Sequence, residues 1–351
     1  MANRPNLYAT KTREEIEHKI KLGANVNLKE EYSGCVGTPF HHHCLVGNAE
    51  AVQTMVENGA DLEMPVPYYE SYGRKGEYVG WRPLELAMEP RYADSKDVRQ
   101  QNVDACVKIL LDAGASLERG RGEKPLIERA IERGNTQVVD KLVDVYGTDG
   151  VGAMHGQNGE SILSVASWAD NARLSGPSMT KHLLSKGIDP NCTDKFGQPA
   201  LMDVASGRIP QLLEAGADAN VVSPVSGETP LHRVCVRHGD TLSPNAVTSA
   251  KALLDYGAEV DALDNQGNPP LANVALQDLA PLADLLLKRG AEPRLALAAP
   301  MLQGVRQNPT IAKVQTAAVE QESQALRQAA DEVEQAPPVQ ARPAVRNRPR
   351  L

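Results

Sequence analysis

Apolar residues recur along this chain in short runs with helical spacing, and each run closes on a glycine. Ala51-Val52-Gln53-Thr54-Met55-Val56-Glu57-Asn58 leads into Gly59, Val107-Lys108-Ile109-Leu110-Leu111-Asp112-Ala113 into Gly114, and Leu285-Leu286-Leu287-Lys288-Arg289 into Gly290. Glycine adopts the left-handed backbone that stops a helix, so the runs predict helices and the glycines their ends. The phrase around the stop returns as Gly23-Ala24-Asn25-Val26-Asn27, Gly59-Ala60-Asp61-Leu62-Glu63, Gly187-Ile188-Asp189-Pro190-Asn191, Gly216-Ala217-Asp218-Ala219-Asn220 and Gly257-Ala258-Glu259-Val260-Asp261, with a worn copy at Gly147. From Gly23 to Gly290 the intervals are 36, 55, 33, 40, 29, 41 and 33 residues, a base period of 33 with insertions and one deletion.

The other half of each period opens a helix. Thr38-Pro39-Phe40-His41 and Thr229-Pro230-Leu231-His232 are its full forms, and Arg82-Pro83-Leu84-Glu85, Pro125-Leu126-Ile127-Glu128, Ser161-Ile162-Leu163-Ser164, Pro199-Ala200-Leu201-Met202 and Pro269-Pro270-Leu271-Ala272 are weaker copies. Proline suits a first helical turn, where its missing N–H is not needed, and Thr or Ser caps that turn. Thr38 to Gly59 and Pro269 to Gly290 both span 21 residues, so the opening and closing phrases keep one offset.

In these two phrases the chain resembles the ankyrin-repeat family over about residues 12 to 298, its unit being a β-turn followed by two antiparallel helices. The resemblance implies an all-α fold, an α-solenoid of stacked ankyrin repeats with short β-turn fingers, and about seven to eight units, two of them degenerate. The organisation that follows is an N-terminal capping helix and half repeat (1–28), an array with insertions at 64–80 and 89–102 (29–298), a C-terminal helical extension (299–334) and a disordered Pro/Arg tail (335–351). Thr12-Arg13-Glu14-Glu15 has capping-box spacing ahead of Ile16, Ile20 and Leu22, which predicts a helix in the N-terminal half repeat. The 29-residue interval, with Ser206-Gly207-Arg208-Ile209-Pro210 at its junction, predicts a truncated helix.

Stacked units accept extra residues only at the finger or at the helix-helix junction. The 55-residue interval carries both. Its polar, mixed-charge stretch from Glu89 to Asn102 is expected to be a solvated loop without function. Its finger, Met64 to Trp81, holds five of the 13 aromatic residues: Tyr68, Tyr69, Tyr72, Tyr78 and Trp81, together with Arg74 and Lys75. Tyr, Trp and Arg concentrate at binding hot spots. Two readings stand side by side, an extended hairpin whose rings cover the neighbouring repeat and a partner-contacting hot spot. The expected partner-binding residues are these seven, with the fingertip residues Glu228 and Asp264 secondary.

Composition adds exclusions. The chain has 351 residues, 41% apolar, with a formal charge of −8, so the body does not present the clustered cations that nucleic acid requires. No apolar run reaches the length of a membrane span and the first residues lack an apolar export core. Five scattered cysteines without CxxC pairs point to reduced thiols and a cytoplasmic setting.

Chemistry has little foothold. His41-His42-His43-Cys44, with Cys35 nearby, suggests zinc, but adjacent helical residues fan out by about 100° each and do not converge on one ion. The resemblance makes His41 and His232 structural histidines and places Cys44 and Cys235 at small buried positions, where thiols are inert. No phosphate loop, dinucleotide fingerprint, nucleophile elbow or zinc-protease helix occurs. The expectation is no enzyme, no cofactor, no metal and no small-molecule substrate.

Residues 309–334 carry a thin, Ala-rich apolar stripe and predict a helix. Gln335 to Leu351 has four Arg, four Pro and no acid. It reads as an inert tail, an Arg segment that docks an acidic protein or nucleic acid, or a C-terminal export signal. By resemblance the function is that of a monomeric scaffold binding a partner protein through its fingers and concave face. The alternatives are a secreted effector or inhibitor that sequesters a host or competitor protein, and a cryptic enzyme in the degenerate middle around Cys192 and His155.

Overall fold

The computed structural model describes residues 6–28, 37–66, 78–89, 96–118, 124–172, 178–236 and 245–335. These are all-α: seventeen α-helices, two short 3₁₀ turns and two isolated β-bridges are found among the described residues. The helices come in pairs, an inner helix opening on the Thr-Pro phrase and an outer one closing on the glycine. A lone outer helix, α1 (Arg13–Lys21), precedes the pairs α2/α3 (Pro39–Val46, Ala49–Glu57), α4/α5 (Pro83–Ala87, Lys96–Asp112) and α6/α7 (Leu126–Arg133, Thr136–Gly152). Then follow α8/α9 (Ile162–Ala172, Met179–Ser185), α10/α11 (Ala200–Asp203, Ile209–Glu214) and α12/α13 (Pro230–Val234, Ala246–Asp255). Last come α14/α15 (Pro270–Leu276, Ala280–Lys288) and α16/α17 (Pro293–Ala298, Pro309–Gln335).

The chain divides into two compact units, one of residues 1–234 and 248–258, the other of 235–247 and 259–351. In the first, inner helices pack on inner (α2 on α4, α6 on α8, α10 on α8 and α12) and outer on outer (α1 on α3, α3 on α5, α5 on α7). The third residue of each opening phrase fills the inner row: Phe40, Leu84, Ile127, Leu163, Leu201 and Leu231 are all buried. The outer helices answer with Met55, Leu110, Leu142, Leu183 and Leu212. In the second unit Leu271, Leu282, Leu286, Ile311 and Val314 form the corresponding core, with α17 against α14, α15 and α16.

Local signals act as the sequence suggests. Thr12 caps α1 by accepting from Glu15 N–H, and all seven stop glycines have positive φ. The shortened repeat has an inner helix of four residues, α10, joined through a 3₁₀ turn at Ser206–Arg208. Two places differ from expectation. The junction stretch read as a loop is helical from Lys96, where α5 begins, because helix-forming residues carry the outer helix backwards by more than a turn. At Gly147 (φ 73°, ψ 170°) the chain only kinks, and helical residues resume as far as Gly152, since no finger phrase follows this glycine.

At Val319 α17 outruns the outer helices of the other repeats. Asn48 caps α3 through Ala51 N–H at 3.1 Å, and Gly59 lies eleven residues on; Asn308 caps α17 through Ile311 N–H at 2.7 Å, and eleven residues on stands Val319. Valine does not adopt the left-handed stop, so α17 runs on to Gln335.

Candidate interaction surface

Five of the fingers are tied to the next by the residue four places after the stop glycine. The Asn27 side chain accepts from Asp61 N–H (2.8 Å) and donates to Gly59 O (2.9 Å). Asn191 does the same with Asp218 N–H (2.8 Å) and Gly216 O (3.5 Å), and Asn220 donates to Gly257 O (2.9 Å). Glu63 accepts from Ser116 N–H and pairs with Arg82, while both carboxylate oxygens of Asp261 face Glu292 N–H. Backbone bonds add to the tie, as in Lys195 N–H to Gly159 O at 2.9 Å.

The fourth residue of the opening phrase fixes the finger to the inner helix. His41 Nδ1 accepts from Thr38 N–H at 3.1 Å while its Nε2–H donates to Met64 O at 2.7 Å, which sets one tautomer. His232 repeats the first contact with Thr229. Where glutamate replaces histidine the geometry survives: Glu85 accepts from Arg82 N–H, and Glu128 from Gln157 N–H in the next finger.

The finger insertion closes at its base by Val66 N–H to Trp81 O and Gly80 N–H to Val66 O, both 2.8 Å. Tyr78 is buried and Trp81 half-buried, edge to face with centroids 5.0 Å apart. The Arg129 guanidinium, on α6, lies over the Trp81 ring. Burial holds Arg129 below the usual guanidinium pKa, against the opposing pull of Glu85 and Glu89. Tyr68, Tyr69, Tyr72, Arg74 and Lys75 lie outside the described residues.

Glu228 and Asp264 are half-buried and engaged inside their own fingers. Glu228 accepts from Ser226 Oγ at 3.1 Å, and Asp264 accepts from Gln266 N–H (2.8 Å) and Asn268 N–H (2.9 Å). Other apolar residues are the exposed ones. In the first unit Trp168 on α8 is 58% exposed, and the fingertip residues Phe196 and Val225 are 70% and 83% exposed, with Val222 beside them in sequence. Lys195 Nζ sits 4.9 Å from the Phe196 ring. The sequence offered one signal for these: Trp168 and Phe196 fall at polar-permissive positions of the unit, where a large ring has no core to fill.

The described thiols are held neutral by burial. Burial raises the Cys106 thiol to about 12 and Cys192 to about 11, and pushes Cys44 and Cys235 well up; these four are free thiols, and Cys35 lies outside the described residues. His155 forms a backbone bridge with Ser161. Among the described residues no group of three His, Cys, Asp or Glu is placed to hold a metal, and no helix is long and apolar enough to cross a membrane.

Paired helices with hydrogen-bonded fingers, repeated on one period, define a helical-repeat protein. Residues 204–296 match the family described as ankyrin repeats, in three copies. It is similar to the human neurogenic locus notch homolog protein 2, at 26% identity over 221 residues, which is 60% of this chain and 8% of that protein. The chain therefore spans a small part of that relative's length. Among solved structures, the crystal structure of the ankyrin repeat domain of Bcl-3, a member of the IkappaB protein family, aligns with a TM-score of 0.40 and 20% identity, covering 79% of this chain and 98% of that one.

Proposed function

We propose that the protein is a non-catalytic scaffold that captures a partner protein on the inner-helix and finger face of its first unit. Exposed rings carry this reading. Trp168 and Phe196 stand in solvent on a frame whose other large apolar side chains are mostly buried, and such rings bring large contact area at small entropy cost. Tyr68, Tyr69, Tyr72, Arg74 and Lys75 belong to the same proposed surface, while Tyr78 and Trp81 anchor the base of their finger and Glu228 and Asp264 shape theirs. The scaffold acts as a monomer in the cytoplasm and needs no cofactor.

The test compares affinity capture by the full chain with capture by Trp168→Ala and Phe196→Ser variants after chemical cross-linking. The expected result is a partner band lost in both variants with melting temperatures unchanged. Equal capture by all three proteins would remove this face from the function.

A further inference from the structure

Among the described residues no inner helix precedes α1, and residues 6–12 lie against α2. Leu7, Tyr8 and Thr10 are all buried there. Tyr8 Oη donates to Gly37 O at 2.7 Å, Lys19 Nζ to Asn6 O at 2.5 Å and Asn48 Nδ2 to Lys11 O at 3.4 Å. At the centre His43 Nε2–H donates to Leu7 O at 2.9 Å, beside the bond from Thr10 Oγ1 to the same carbonyl at 2.6 Å.

His43 is an unusual occupant of its place. The six other opening phrases have Ala87, Ala130, Ala166, Val204, Val234 and Val274 at the matching position, all apolar. At this position of the unit, a buried imidazole is therefore specific to the inner helix that faces the strap. Its second nitrogen, Nδ1, is buried without a hydrogen-bond partner. We propose that His43 is a titratable latch, and that proton uptake releases the strap 6–12 from α2.

The proton comes from solvent and adds to Nδ1, turning the imidazole into an imidazolium while Nε2–H keeps its bond. The new N–H meets no acceptor and the charge no water. The groups around it give no compensation. On α2 itself the neighbouring ring is His42, 5.5 Å away and edge-on, with Tyr8 on its far side at 5.8 Å; His41 is bound to Thr38 and Met64. On the strap Lys11 N–H is held by Glu15. On α1 Lys19 bonds Asn6 O; on α3 Glu50 accepts from Arg13 N–H and Glu57 pairs with Arg13; on α4 Glu85 serves Arg82 N–H. Burial holds His43 below the ordinary 6.5, and burial followed by the neighbouring His43 brings His42 to about 4. With both depressed in the closed state, the latch is complete above 6.5 and weakens as the pH falls below it.

Hydrogen-exchange mass spectrometry on the full chain, corrected for the intrinsic pH dependence of exchange, tests this. Protection of residues 6–12 should fall severalfold between pH 7.5 and 4.5, because the protonated form is disfavoured in the closed state. His43→Gln keeps a donor for Leu7 O and cannot titrate, so its fall over that range should be clearly smaller than that of wild type; His42→Gln should keep the part of the fall that His43 carries. A flat wild-type profile, or a His43→Gln profile that follows wild type, overturns the proposal. Should His43→Gln fail to fold, ¹⁵N NMR of wild type decides: the His43 ring must be Nε2–H at pH 7.5 and titrate together with the amides of 6–12.

Discussion

The Arg129 guanidinium carbon lies 3.6 Å from the centroid of the Trp81 ring, joining the base of the long finger to an inner helix one repeat further on. Trp81 also packs edge to face with Tyr78, so the ring has structural contacts with both residues. Replacing Trp81 by Ala removes a half-buried indole and leaves a buried cation without its π partner, a loss of about 2 kcal/mol or more. The expected outcome is a clear fall in melting temperature by circular dichroism, and an unchanged Tm would return Trp81 to the free binding surface.

Asp261→Asn should stabilise the protein. Asn27 and Asn220 donate from their amides to the glycine carbonyl of the next finger, a bond that a carboxylate at 261 cannot make. Burial raises the Asp261 pKa, Glu292 adds to it, and the Glu292 N–H opposes. A raised folded pKa means the charged form is disfavoured in the fold, so the wild type is penalised above that pKa and relieved as the pH falls through it. Urea melts should show a gain for the Asp261→Asn variant of about 1 kcal/mol at pH 7 that shrinks toward pH 3.

Asp170 titrates in the opposite sense. It accepts from Met179 N–H (2.7 Å), Ser178 Oγ (2.6 Å) and Thr180 N–H (3.1 Å), capping α9 from the helix before it. Burial raises its pKa, but these bonds together outweigh it and hold the group below the ordinary carboxylate value. Its stabilisation is present above the unfolded pKa and fades as the pH falls through the folded one. Asp170→Ala should cost about 1–2 kcal/mol at pH 7, measured by denaturant melts, and the difference from wild type should narrow in acid.

Val319→Gly should shorten α17. It restores the residue that closes the other outer helices, and glycine in a helix interior costs about 1 kcal/mol relative to alanine. Helical signal per molecule should drop and the amides of 320–335 should exchange faster, while the Ile311 and Val314 core keeps its protection. Unchanged exchange in 320–335 would show that the missing stop does not set the helix length.

Much of this was legible because each signal is local. The stop glycines need only their own backbone, and the Thr-Pro phrase caps its own first turn, so helix boundaries could be read from neighbouring residues. The truncated α10 followed from counting. What the sequence withheld is what depends on distant partners. Nothing near Trp81 in the chain reveals Arg129, 48 residues later, so the ring could be read equally as anchor or as hot spot. The start of α5 was hidden by mixed charges that suit a solvated helix as well as a loop. Phe196 and Trp168 were passed over because two isolated rings weigh less in a sequence than five tyrosines and tryptophans together, although exposure, not density, decides which rings another molecule can touch. Nothing next to His43 in the sequence shows why a histidine stands there, because the strap that explains it comes from a segment with no repeat counterpart.

The rungs between fingers use backbone amides, backbone carbonyls and one side chain at the finger's root; the exposed Phe196 ring is not one of the groups that form the rungs described. The outermost residues are thus excused from holding the architecture up, and their identities can be swapped like the bits of a key whose shank stays the same.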